Sequence, residues 1–255
     1  MIRASTSRVG ASEPTLHVYL LGNVEFEAAL RFQRRLHFEV CDERIAAALV
    51  LCEHPPTISI GRLGSHGHIR GDDDARGRRF PLRWVNRGGG CILHLPGQLA
   101  VYPILPLDRL GLDVPAYLER LSRACLAVIS DFSLRHTARA DQSGVWVGER
   151  LIAVLGVAVR DWVSTFGAYI NVQPSLDPFR QVRTSPAGWE SMTSLQRERR
   201  GPVRPSMVRQ RLVEHFQACF AFPRVALFSD HPALTVNGHR CNGTAAVDRA
   251  LANWG

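Results

Sequence analysis

Lysine is missing from this chain altogether: of 255 residues, all 31 basic ones are arginine. No amine side chain is therefore available as a proton acceptor or nucleophile. Long apolar runs are missing too. No window reaches the roughly 18 consecutive apolar residues of a membrane-spanning helix, and the first fourteen residues (MIRASTSRVGASEP) lack the apolar centre of a secretory signal. These absences predict a cytoplasmic protein with no membrane partner. The six cysteines, Cys41, Cys52, Cys91, Cys125, Cys219 and Cys241, form no CxxC pair and no Cys/His cluster at zinc spacing. No metal is expected, and the thiols read mostly as buried and reduced. There is no internal repeat.

What is present is a strong positive charge, net +8 with a pI near 9.8. Such a charge speeds encounter with acidic surfaces. Nucleic acid is the first candidate, but the arginines are spread along the chain apart from short clusters at Arg76–Arg79 and Arg197–Arg204. No helix-turn-helix or zinc-finger pattern accompanies them, so no nucleic-acid partner is expected.

Apolar periodicity predicts an amphipathic helix over Glu25–Val40, and a second over Val114–Phe132 with Tyr117, Leu121, Cys125, Val128 and Phe132 along one face. A third follows Ser206, read as its cap, with the stripe Val208, Leu212, Phe216 and Phe220. Strands are predicted at Ala47–Cys52, Thr57–Ile60, Arg83–Val85, Cys91–His94, Leu99–Ile104, Gly144–Val147, Leu151–Val159 and Gly167–Val172. Between them, Gly61–Arg79 reads as a loop. Long strand runs with few intervening helices favour an α+β fold over a doubly wound one. The expected organisation is a polar N-terminal extension over 1–14, one domain over 15–222, and a C-terminal extension over 223–255 read as a hairpin or as disordered.

The densest stretch is NRGGGCILHLPGQLAVYPI, Asn86 to Ile104. Consecutive glycines let amide groups approach a ligand closely, and a following strand then lays side chains along it. His94 would supply a titratable group at the mouth of such a pocket. The alternative is a bulged turn beside a core histidine, and the residues alone leave both open.

Four segments in order, LCEHPPTISIGR, the glycine stretch continuing to Leu121, GVWVGERLIAVLGVAV, and FGAYINVQPSLDPF with a later TSL, resemble the lipoyl (octanoyl) transferase family over roughly Leu16 to Arg200. The resemblance implies a single α+β domain of the biotin/lipoate protein ligase fold, a mixed sheet with flanking helices. It implies transfer of an octanoyl group from acyl carrier protein to a lysine of lipoyl domains, those of 2-oxoacid dehydrogenases or the glycine cleavage H protein, with no cofactor. It also implies an acyl-binding surface made of Arg87, Gly88, Gly89, Gly90, Cys91, Ile92, Leu93 and His94, with further walls at Val154, Leu155 and Gly156 and at Gly167, Ala168 and Tyr169.

The reacting groups of the family are not kept. Its chemistry uses a cysteine thiolate activated by a lysine. Leu151 holds the lysine's place, and the ungapped count from Asp177 to Leu195 puts Ser185 at the cysteine's place, with Ala187 under a tripeptide match. Phe166 stands where the family segment HGLALNV has histidine. His94 is left as a candidate base for Ser185, and Cys91 as a second candidate nucleophile. An ATP-using ligase of the same fold fits less well, because such ligases also use a lysine where Leu151 stands. The expectations are octanoyltransferase-like acyl binding, with either altered transfer chemistry or none.

Overall fold

The first strand is β1, Thr15–Asn23, and its alternation sends Leu16, Val18 and Leu20 to one buried face and Tyr19 and Leu21 to the other. The computed structural model describes residues 13–71, 79–134, 138–141, 144–184, 191–231 and 234. Helix α1, Phe26–Cys41, lays Phe26, Ala29, Phe32, Leu36 and Val40 on the sheet at helical spacing. It ends before Glu43, whose φ of 57° no helix accepts. Strands β2 (Ala47–Glu53), β3 (Thr57–Ile60), β4 (Leu82–Trp84), β5 (Cys91–His94) and β6 (Gln98–Ile104) follow. Helix α2, Val114–Ile129, opens at Asp113, whose side chain accepts from Ala116 N at 2.8 Å. The predicted extension of α2 to Phe132 is corrected: the chain widens into a turn over Ser130–Leu134, and Ser133 at φ 68° stops the helix.

Strands β7 (Ala138–Asp141), β8 (Gly144–Val147), β9 (Arg150–Arg160) and β10 (Val163–Asn171) complete the meander. A short helix α3 (Leu195–Arg199), helix α4 (Pro205–Phe220) and strand β11 (Arg224–Phe228) end the described fold. Ser206 does not cap α4, because Pro205 already occupies the helix's opening position and Arg204 precedes it without a side-chain cap. Among the described residues, eight strands form one sheet in the order β11-β1-β2-β6-β10-β9-β8-β7. Its β11/β1 and β1/β2 pairs are parallel and the rest antiparallel. A small second sheet runs β4-β3-β5.

Helices α2 and α4 cover one face of the large sheet, while α1 and the small sheet cover the other. The central strands β2 and β6 are therefore buried on both faces and read as unbroken apolar runs. This is the mixed α+β domain with flanking helices that the sequence predicts. The segment after Pro223 opens with β11 at the sheet edge, and Cys241 lies outside the described residues. Five cysteines are described and all are free; Cys52, Cys91 and Cys125 are buried, but Cys41 is exposed and Cys219 half-buried. No described helix is long and apolar enough to cross a membrane.

Candidate functional site

Strand β9 is longer than its neighbour. Strand β8 pairs with it only as far as Val154, and beyond that point the glycine turn meets its edge, Gly88 N donating to Val157 O at 2.8 Å. The glycines are required there. A Cβ on Gly156 would lie 3.0 Å from Gly88 O, and one on Gly90 would lie 2.5 Å from Thr184 O. Gly89 adopts φ 79°, a conformation that favours glycine.

Inside the turn sits Arg87, fully buried. Its Nη1 donates to the carbonyls of Gly88 and Gly90 at 2.9 and 3.0 Å, and its Nη2 to Ser59 O and Oγ at 2.8 Å. Burial pulls the guanidinium below its ordinary pKa, since the surrounding partners are neutral. A planar fork with several donors can hold two loop carbonyls and a serine at once, and a lysine could not.

A hydrogen-bond relay continues from this arginine. Ser59 Oγ donates to His94 Nε2 at 2.7 Å, His94 Nδ1 donates to Gln98 Oε1 at 3.3 Å, and Gln98 Nε2 donates to Asn171 Oδ1 at 3.0 Å. Asn171 Nδ2 then donates to Thr193 O at 3.0 Å. Thr193 N in turn donates to Leu151 O, and Leu151 N to Ser191 O. On the other side, Arg183 N donates to His68 O and Gly90 N to Thr184 O. The two flanks of segment 185–190 are thus tied to the glycine turn and to Leu151. Arg150 adds a clamp by donating to both carboxylate oxygens of Glu198 at 2.8 Å, which holds that carboxyl below its ordinary pKa. Ser185 and Ala187 themselves lie outside the described residues.

Between the glycine turn, β9 and the start of α2 is a cavity of about 350 Å³. Gly88, Gly89, Gly90, Ile92, Val154, Leu155 and Gly156 line it, and Leu151 does as well. Arg62, Leu63, Val114, Leu118, Val157 and Thr184 also line it and were not anticipated. Asp113, a helix cap just ahead of Val114, is the one sequence signal that could have placed the end of α2 near a site.

Seven of the expected residues do not line this cavity. His94 is 1% exposed and enclosed by the rings of Phe26 and Tyr169, with centroids at 4.9 and 4.7 Å. The expectation that it borders the pocket mouth is corrected: it is a core histidine, its Nε2 already engaged by Ser59. Arg87 lies behind the glycine turn. Leu93 alternates to the far side of β5. Cys91 is buried with its Sγ 3.5 Å from Ser65 O, and burial raises its pKa, so its thiol is held protonated away from the cavity. Gly167, Ala168 and Tyr169 lie on β10, with Ala168 in the apolar cluster under α2 and the Tyr169 ring on the opposite face against His94 and Tyr102; this tyrosine stands where HGLALNV has alanine. Gly167 itself faces β6, where a Cβ would meet Val101 O.

The buried histidines carry a pH prediction. His54 Nδ1 donates to Val24 O and its Nε2 accepts from Tyr102 Oη, both at 2.7 Å, and burial lowers its pKa from 6.5 to about 4. His94 is shifted in the same direction by burial, His54 and Arg87. The stabilising contribution is complete above pH 6.5 and is lost as the pH falls toward 4, because the unfolded chain takes up protons that the folded one refuses. At pH 5 His54 alone should cost about 2 kcal/mol relative to pH 8. Urea denaturation at the two pH values should show at least this loss, and His54→Phe should reduce the difference between them.

Residues 25–217 match the family described as Lipoyl protein ligase A/B catalytic domain. The chain belongs to that family. An octanoyltransferase of Geotalea uraniireducens is 34% identical over 202 residues, covering 79% of this chain and 92% of the relative. One from Citrifermentans bemidjiense is 37% identical over 178 residues, covering 70% and 84%. Among solved structures, lipoate-protein ligase A bound with ATP superposes with a TM-score of 0.61 at 17% identity, covering 86% of this chain and 88% of the other. The family's fold is therefore the one described above, and octanoyl transfer is the activity these two relatives are named for.

Proposed function

We propose that this chain is an octanoyltransferase-family protein that keeps the acyl-binding cavity and has lost the covalent relay. The observation that carries this reading is the cavity lining: glycine backbone and aliphatic side chains, with Leu151 at the lysine's place buried in its wall. An eight-carbon chain suits such a slot, since each buried methylene contributes about 0.8 kcal/mol. The donor on this reading is octanoyl acyl carrier protein, and the acceptor of the family's reaction is a lysine of a lipoyl domain. With Ser185 in place of the cysteine, a hydroxyl would need a base within about 2.6–3.2 Å. His94 is enclosed in the core and the Leu151 side chain carries no nitrogen, so transfer in the natural chain is slow or absent.

Acyl binding is tested by calorimetry with octanoate. Gly156→Val should weaken octanoate at least tenfold, because the new side chain pushes against Gly88 O and displaces the turn. Gly89→Leu should act in the same direction, at a stability cost of about 1–2 kcal/mol for its positive φ. Unchanged affinity in both variants would remove the cavity from the account.

A further inference from the structure

A second cavity, of about 330 Å³, lies on the other side of the same strand segment. Asn86 and Ala158 line it, whereas Gly88 and Val157, two residues and one residue away, line the acyl cavity. Its far wall is α1. Phe38, 65% exposed, and Trp84, 61% exposed, stand together on its rim, and exposed aromatics clustered at one place mark an interaction surface where a single one would not. Arg34 and Arg160 share the rim. Arg62 joins the two cavities, reaching Asn86 Oδ1 at 3.5 Å while lining the acyl cavity. The wall is built: Gln33, 3% exposed, accepts from Phe166 N at 2.8 Å through Oε1 and holds Phe166 at φ 56°. The Nε2 of Gln33 has no hydrogen-bond partner among the described residues.

We infer that this aromatic- and arginine-rimmed cavity is the docking face for the acidic carrier protein that brings the acyl group to the neighbouring cavity. The inference rests on the acyl-binding reading above. An acidic helix presenting one apolar side chain matches the face in charge and shape: the side chain enters between Phe38 and Trp84, and its flanking carboxylates meet Arg34 and Arg62, with Arg160, which also faces Asp161 at 3.3 Å, beside them. A carrier docked there stands beside the glycine turn, so an acyl group on a flexible arm has only to pass Asn86 to enter.

The test measures binding of an acidic acyl carrier protein in its apo form, so that no acyl chain takes part, at 50 and 200 mM salt. Phe38→Ser with Trp84→Ser should weaken the carrier at least tenfold, and Arg34→Glu should weaken it and flatten the salt dependence. Met207→Ser, at an exposed site on α4, should leave it unchanged. Octanoate affinity should be the same in all four proteins. Carrier affinity unaffected by the aromatic and charge changes would overturn the docking assignment. So would self-association of the chain that those changes abolish, or a loss confined to lipoyl-domain binding. Failure of octanoate to bind the natural chain would instead strike the acyl-binding reading itself.

Discussion

Octanoyl transfer should rise by on the order of 10²–10⁴ in a Leu151→Lys/Ser185→Cys double variant, the range a positioned acid–base group supplies. Each single change should contribute little. A lone thiol at 185 would be mostly protonated near neutral pH, given an ordinary pKa of about 8.5, and a lone lysine at 151 would have no thiol to activate. The fold favours the pair. Leu151 is 1% exposed, and a lysine there would have its pKa lowered by burial, which suits it to take a proton at neutral pH. Its backbone already bonds Ser191 O and Thr193 N, and Thr184 lines the same cavity, so the flanks of segment 185–190 converge on this wall. Groups that act as a unit are non-additive, so the double variant should exceed the product of the two single gains. Single-turnover assays with octanoyl acyl carrier protein and a lipoyl domain measure this directly. A product of single gains equal to the double gain would show that the two positions do not cooperate.

The second large effect concerns Arg87. Arg87→Met relieves the burial of a cation but removes the Arg87 donors of Gly88 O, Ser59 O and Ser59 Oγ, while Gly90 O keeps the Gly61 amide at 3.0 Å; a buried acceptor left without any donor costs about 1–3 kcal/mol. A net loss of about 3 kcal/mol in unfolding free energy is expected, together with at least a tenfold loss of octanoate affinity as the turn loosens. Arg87→Lys should rescue little, because one ammonium cannot span the two carbonyls and the serine. Denaturation and calorimetry on the two variants check both outcomes. Retained stability with retained affinity in Arg87→Met would show that the turn holds its shape unaided.

Much of the scaffold was legible in the chain because local pattern and tertiary environment agree. Thr57–Ile60, Cys91–His94 and Gly144–Val147 form strands with the predicted bounds, and Tyr117, Leu121, Cys125 and Val128 form the buried stripe of α2. Strands β1 and β11 were not anticipated as parts of the sheet. Arg224–Phe228 lies at its edge, half-buried at most, and is held by parallel pairing with β1 across more than two hundred residues, which no local pattern reports.

The site was legible in part. The glycine turn and the Val154–Gly156 wall meet at one cavity because close backbone approach demands glycine at Gly90 and Gly156. His94 was misplaced for a physical reason. It shares a strand face with Ile92, which does reach the cavity, but its own ring is packed against Phe26 and Tyr169 and hydrogen-bonded to Ser59. Alternation along a strand gives the face and not the depth at which a cavity stops. Arg62 and Leu118 were missed because they come from a loop and a helix that only the fold brings to the glycine turn.

The central claim is a cavity that binds the acyl chain without a covalent relay. Intact mass of the natural chain, measured under denaturing conditions after incubation with octanoyl acyl carrier protein, tests it most directly. The account predicts an unchanged mass, alongside an added octanoyl unit in the Leu151→Lys/Ser185→Cys variant. A gain of one octanoyl unit in the natural chain, mapped to Ser185 or Cys91, would contradict it.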